Sequence, residues 1–181
     1  MSLRMRAIPE RIPEPPRRWA LRALFRATAD AFDEPLPDLR GLTGEQLLHG
    51  YASWSDRLTR EVIADPTRRA ATERRLFANT ERLGRRARRV LGVRTTEEAM
   101  LLARRVYELI GIDLTGDERG RVVVAGCRFA TTYSADVCRV MSACDAGLLA
   151  GLTGGGRLTF TERISAGAPA CIATLQAGAV R

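Results

Sequence analysis

The stretch IDLTGDERGRVVVA, residues 112–125, decides the fold. Residues 112–115 and 121–125 read as two short strands about the turn Gly116-Asp-Glu-Arg-Gly120. Downstream, 131–150 has a helical period, with Val137, Val140, Met141, Cys144 and Leu148 on one face. The glycine run Gly154-Gly-Gly156 is a turn. Residues 157–164 and 170–176 then read as two more strands, joined through Ser165-Ala-Gly-Ala-Pro169. Connections of hairpin length within each strand pair exclude a parallel doubly wound sheet. The order ββαββ predicts an α+β fold, a four-stranded antiparallel sheet covered by helices.

Upstream the pattern is helical. Residues 1–16 hold four of the eight prolines and read as an extended arm. A first helix is predicted over 17–32, with Trp19, Ala23 and Phe25 among its apolar positions, and 33–41 is a linker. Thr43-Gly-Glu-Gln46 is a capping-box pattern. The helix after it puts Leu47, Tyr51, Trp54, Leu58 and Val62 on one face. Asp65-Pro66 reads as N-cap and first residue of a helix over 66–91. That helix carries Leu76, Thr80, Leu83, Ala87 and Val90 on one side and the stripe Arg82, Arg85, Arg86, Arg89 on another. The stripe reads as a solvated face, supported by Glu81 four residues before Arg85. Thr95-Thr-Glu-Glu98 starts a further helix that ends at Gly111, with Ala99, Leu102, Val106 and Leu109 inward. The helical region 17–111 is expected to pack with 112–181 as one domain.

Composition removes several chemistries. All 29 cations of the 181-residue chain are arginine. Without lysine there is no Schiff base, no pyridoxal-phosphate anchor and no phosphate-loop lysine. His49 is the sole histidine, which excludes a three-histidine metal site. It lies in the helical region, far along the chain from the cysteines, and reads as a surface or helix-packing residue. Gly154–Gly156 is not a nucleotide loop, because it follows a helix and precedes a strand. Abundant Arg, Ala, Gly and Leu with no Lys matches the codon bias of a GC-rich genome. The net charge of +8 therefore predicts weak, salt-sensitive attraction to anions, and nucleic acid is not the expected partner. The longest uncharged stretch, 164–180, is interrupted by Pro169 and rich in small residues, so no membrane span is expected. Residues 1–19 lack an apolar signal core. The expected location is the cytoplasm, with the cysteines as reduced thiols, metal ligands or nucleophiles.

The cysteines, Cys127, Cys138, Cys144 and Cys171, all lie in the last third of the chain and form no CxxC pair. Cys127 closes the second strand, Cys144 is on the core face of its helix, and Cys171 begins the last strand. By period two, Leu158, Phe160, Glu162 and Ile164 share the core face. Glu162 is thus predicted as an inward carboxylate beside Cys171, needing a cation, metal or donor. Cys144, Glu162 and Cys171, with Cys127 as fourth ligand, suit zinc. Cys138 does not share that face and reads as structural.

The segments GCRFATTYSADVCRVMSACDAGLLAGL (126–152) and GGRLTFTERISAGAPACIATL (155–175) resemble the C-terminal half of the L-2-amino-thiazoline-4-carboxylic acid hydrolase family. They also resemble the related four-vinyl-reductase small-molecule-binding domain. The shared features are Cys127 closing a strand, the Cys144, Asp145, Gly147 helix, and Gly167 in a turn before Cys171. The likeness covers about residues 112–176 and implies an α+β ligand-binding fold. It implies zinc on Cys144, Glu162 and Cys171. One further ligand cysteine expected after the glutamate is missing, and Ser165 stands near its place. For a hydrolase, the resemblance implies opening of a small sulfur heterocycle or a C–N bond, with Cys144, Asp145 and Glu162 as catalytic residues. The route is a zinc-bound water assisted by Asp145, or attack by a cysteine thiolate. The alternative is a noncatalytic, sensory small-molecule-binding domain. The expected partners are a small-molecule ligand or substrate and a second copy in a homodimer.

Overall fold

In a computed structural model, residues 14–176 are described. The predicted arm at 1–13 lies outside them, as do residues 177–181. Helix α1, Glu14–Phe32, starts three residues earlier than the sequence suggests. Pro15 and Pro16 fit a first turn, where their missing N–H groups need no partner. So 14–16 belong to the helix rather than to the arm.

Both predicted capping boxes form. Thr43 precedes α2 (Gly44–Ile63): its hydroxyl accepts from the Gln46 amide, and the Gln46 side chain accepts from the Thr43 amide. Thr95 and Glu98 do the same before α4 (Thr96–Leu109). Between them, α3 (Pro66–Leu91) opens on Asp65, whose carboxylate accepts from the Thr67 and Arg68 amides. The stripe Arg82, Arg85, Arg86 and Arg89 is exposed, with Arg85 paired to Glu81 at 3.4 Å.

The sheet is α+β as the order of elements requires. Strand β1 is Ile112–Gly116, β2 Arg121–Cys127, β3 Arg157–Glu162 and β4 Cys171–Gln176, in the spatial order β1-β2-β4-β3, all antiparallel. A 3-10 turn, Arg128–Thr131, follows β2 and leads to α5 (Ala135–Thr153), which starts four residues later than predicted because Ser134 caps the Val137 amide. One core runs through both regions, from Leu21 and Leu47 through Leu76 and Tyr107 to Val124, Val140 and Leu175. Each fully buried leucine there contributes about 1.5–3 kcal/mol. No helix among the described residues is long and apolar enough to cross a membrane.

Helix α5 is the centre of the molecule. It lies against α3 with almost nothing between the backbones. A Cβ on Gly147 would sit 2.2 Å from the Phe77 carbonyl oxygen, one on Gly151 2.3 Å from that of Glu81, and one on Gly84 2.4 Å from that of Leu148. Glycine at these three positions is what lets the helices meet. The other sides of α5 face α2, α4 and β3.

Two irregularities in the sheet govern the rest. In β2, Gly126 opposes Asp113 while Val124 opposes Leu114, so Ala125 is an extra residue. In β3, Phe160 opposes Ala173 while Glu162 opposes Ile172, so Thr161 is extra. Each bulge reverses the alternation beyond it.

Candidate functional site

The β2 bulge brings Cys127 inward. Strict alternation would put it on the face of Val123 and Ala125. Past Ala125 it instead opposes Ile112, on the buried face of Leu114, Val122 and Val124. The 3-10 turn that follows aims the Phe129 and Ala130 amides at its sulfur. These amides favour the thiolate, but burial outweighs them and pushes the thiol up to about 11.

Cys127 lines a cavity of about 650 Å³ between α2, α4 and the β1–β2 edge. His49, Arg104, Glu108, Asp113 and Arg128 line it too. His49 is on the surface, as expected, yet α2 carries it to the cavity that Cys127 also lines. Arg128 is tied to Glu45, which also pairs with Arg17 at 3.2 Å.

Asp145 belongs to the cluster behind Cys127. The Asp145 charge adds to the rise of the Cys127 thiol, and both groups push up the Tyr107 phenol. Asp145 is only partly exposed, and burial lifts its carboxyl to about 6. The Tyr107 hydroxyl, 2.8 Å from Oδ1, and the Arg163 charge hold the rise back. Cys144, next in the chain, is pushed up strongly by burial and then by the Asp145 charge, so its thiol stays protonated. The chain's three tyrosines surround this cluster, all buried and all with a hydroxyl partner. Tyr51 meets Thr28 at 2.8 Å, Tyr133 meets Ser55 at 2.5 Å, and Tyr107 meets Asp145. Phe129 stacks on Tyr133 with centroids 5.4 Å apart, which fixes the turn after Cys127.

Glu162 does not join them. The bulge at Thr161 puts it opposite Ile172, on the other face of the sheet, where it is exposed. The predicted inward carboxylate is therefore corrected, and so is the strand end, which falls at 162 rather than 164. Thr161 spends its hydroxyl on the Ile172 carbonyl at 3.2 Å. Arg163 takes the inward direction. Its guanidinium stacks over Phe160 at 4.3 Å, donates to Ser142 at 2.5 Å and reaches Cys138 Sγ at 4.0 Å. Sequence reasoning missed Arg163, and only the bulge would have revealed it.

Cys171 is buried, and its sulfur accepts from the Ile164 amide at 3.4 Å. The drawn ligand set Cys127, Cys144, Glu162 and Cys171 does not assemble. Among the described residues no three His, Cys, Asp or Glu side chains are placed to hold one metal ion. The residues present do not fit the zinc site the resemblance implies. Compared with protein-family models, with curated proteins and with solved structures, the chain finds no match, so the site stands on its own chemistry.

Proposed function

We propose that the chain binds a small polar molecule in the Cys127 cavity and hydrolyses it at an electrophilic carbon, such as that of a C–N bond or small heterocycle. The observation that carries this reading is the shared cavity. The sole imidazole and a thiol flanked by two amides open on one cavity whose volume suits a small ligand. Arg104, Arg128, Glu108 and Asp113 give that cavity both signs of charge.

His49 takes the Cys127 proton as base, and the thiolate forms a C–S bond to the substrate carbon. The leaving nitrogen departs with the proton from the imidazolium. Water, deprotonated by His49, then cleaves the thioester, and the proton returns to Cys127. Asp145, with its carboxyl near 6, exchanges protons at neutral pH in the cluster behind the thiol.

A noncatalytic ligand-binding domain is the second reading. It is favoured by the burial that holds Cys127 at about 11, where little thiolate exists at neutral pH.

p-Nitrophenyl acetate distinguishes the two. Catalysis predicts a burst of one p-nitrophenolate per chain with acetylation of Cys127 on mass spectrometry. Cys127→Ser abolishes the burst and His49→Gln slows it at least about tenfold. Acetylation spread over the other cysteines, or a burst unchanged in His49→Gln, overturns the hydrolytic mechanism.

A further inference from the structure

A second cavity, of about 510 Å³, lies at the β3 end of the sheet. Arg139, Arg163, Glu162, Phe160, Ala166 and Ala168 line it. Its charges are unevenly matched. Arg139 is neutralised by Asp136 at 2.6 Å. Arg163 feels the Asp145 charge at longer range but has no carboxylate within 4.0 Å among the described residues, and neither has Glu162 a cation. A guanidinium and a carboxylate thus line one cavity without reaching each other.

The guanidinium is held ready. Phe160 supports its plane, and both of its hydrogen bonds, to Ser142 and Cys138, leave from Nη1. No described residue takes a hydrogen bond from Nε or Nη2. That pair is the edge which grips a carboxylate with two parallel bonds. In the 3-10 turn Ile164–Ala166, beside the cavity-lining Ala166, Ser165 Oγ is buried without a partner.

We propose that this cavity binds a small zwitterion of the α-amino-acid class. Its carboxylate lies on the Nε–Nη2 edge of Arg163 and its ammonium on Glu162, with an apolar side chain against Phe160, Ala166 and Ala168. A simple anion would meet Glu162 as a like charge, and a simple cation would meet Arg163. Only a ligand carrying both signs pairs directly with both groups together.

Calorimetric titration of the full chain at low salt tests this. The probes are L-leucine, its deaminated analogue 4-methylpentanoate, and its decarboxylated analogue 3-methylbutylamine. L-Leucine is expected to bind with a Kd of about 1 mM or tighter, and each analogue at least about tenfold more weakly. Arg163→Met and Glu162→Gln each weaken L-leucine at least about tenfold. Glu162 is exposed, so its variant keeps the fold, which circular dichroism verifies. Cys127→Ser leaves the binding unchanged, which separates this cavity from the one proposed for hydrolysis. No heat with L-leucine up to about 10 mM overturns the proposal. So does 4-methylpentanoate binding as tightly as L-leucine, or a silent Glu162→Gln.

Discussion

The Tyr107 hydroxyl on α4 lies 2.8 Å from Asp145 Oδ1 on α5, a bond between residues 38 positions apart that joins the last helix before the sheet to the central one. Tyr107 is buried, and desolvation holds its phenol well above the usual range, so it is the donor. The bond favours the charged carboxylate and opposes burial. Tyr107→Phe should raise the Asp145 carboxyl from about 6 by about one further unit. A pH titration of the Asp145 carboxyl carbon by NMR measures it, and an unmoved midpoint shows that the bond does not bias the charge.

Asp145 also sets a pH dependence of stability. Its folded-state carboxyl sits near 6, above the ordinary 3.8, so folding favours the protonated form. The stabilisation is complete below about pH 4 and is lost as pH rises through about 6. In urea unfolding, the wild type should lose about 1–3 kcal/mol relative to Asp145→Asn between pH 4 and pH 7. Parallel curves for the two proteins would show that burial does not shift this group.

Thiol reactivity should rank the cysteines by their surroundings. With its thiol at about 11, Cys127 should be alkylated by iodoacetamide at a rate that rises about tenfold per pH unit and levels off near 11. Cys144, pushed higher by burial and by Asp145, should lag behind it throughout. Peptide mass spectrometry at a series of pH values reads both. Fast, pH-independent modification of Cys127 at neutral pH would show a thiolate already formed.

Where α3 and α5 touch, one methyl group is too many. Gly147→Ala places a carbon against the Phe77 carbonyl and the Thr80 hydroxyl. The expected cost is about 1–3 kcal/mol or more, read as a lower urea midpoint. Gly155→Ala is the contrast. Its added carbon meets nothing within 4 Å, and the cost there comes from its positive φ of 116° alone. If both variants unfold at the wild-type midpoint, the close approach is not needed.

Helices were legible where a cap and a periodic face agree, as at Thr43, Asp65 and Thr95. The order of strands followed from connection lengths. The site was not legible to the same degree, because reading a strand by period two assumes no residue is added. Ala125 and Thr161 are each one residue extra; Gly126 beside Ala125 is a glycine signal for the first bulge, but no glycine or proline marks the second. One turned Cys127 inward and the other turned Glu162 outward, so the carboxylate that alternation placed beside the thiols is at the surface. Asp145 was singled out only as an assisting acid. Its surroundings, three tyrosines and an arginine, come from four separate segments of the chain, a grouping that no local pattern encodes.

The glycine-lined crossing has a mechanical consequence. Most helix pairs are separated by side chains that swing between rotamers and absorb small sliding movements. Here carbonyl oxygens of α3 lie where side chains of α5 would be, so the pair has no such cushion. The two helices travel as one rod. A displacement of α5 is therefore expected to carry α3 with it. The exposed arginine stripe of α3 belongs to the same rigid unit.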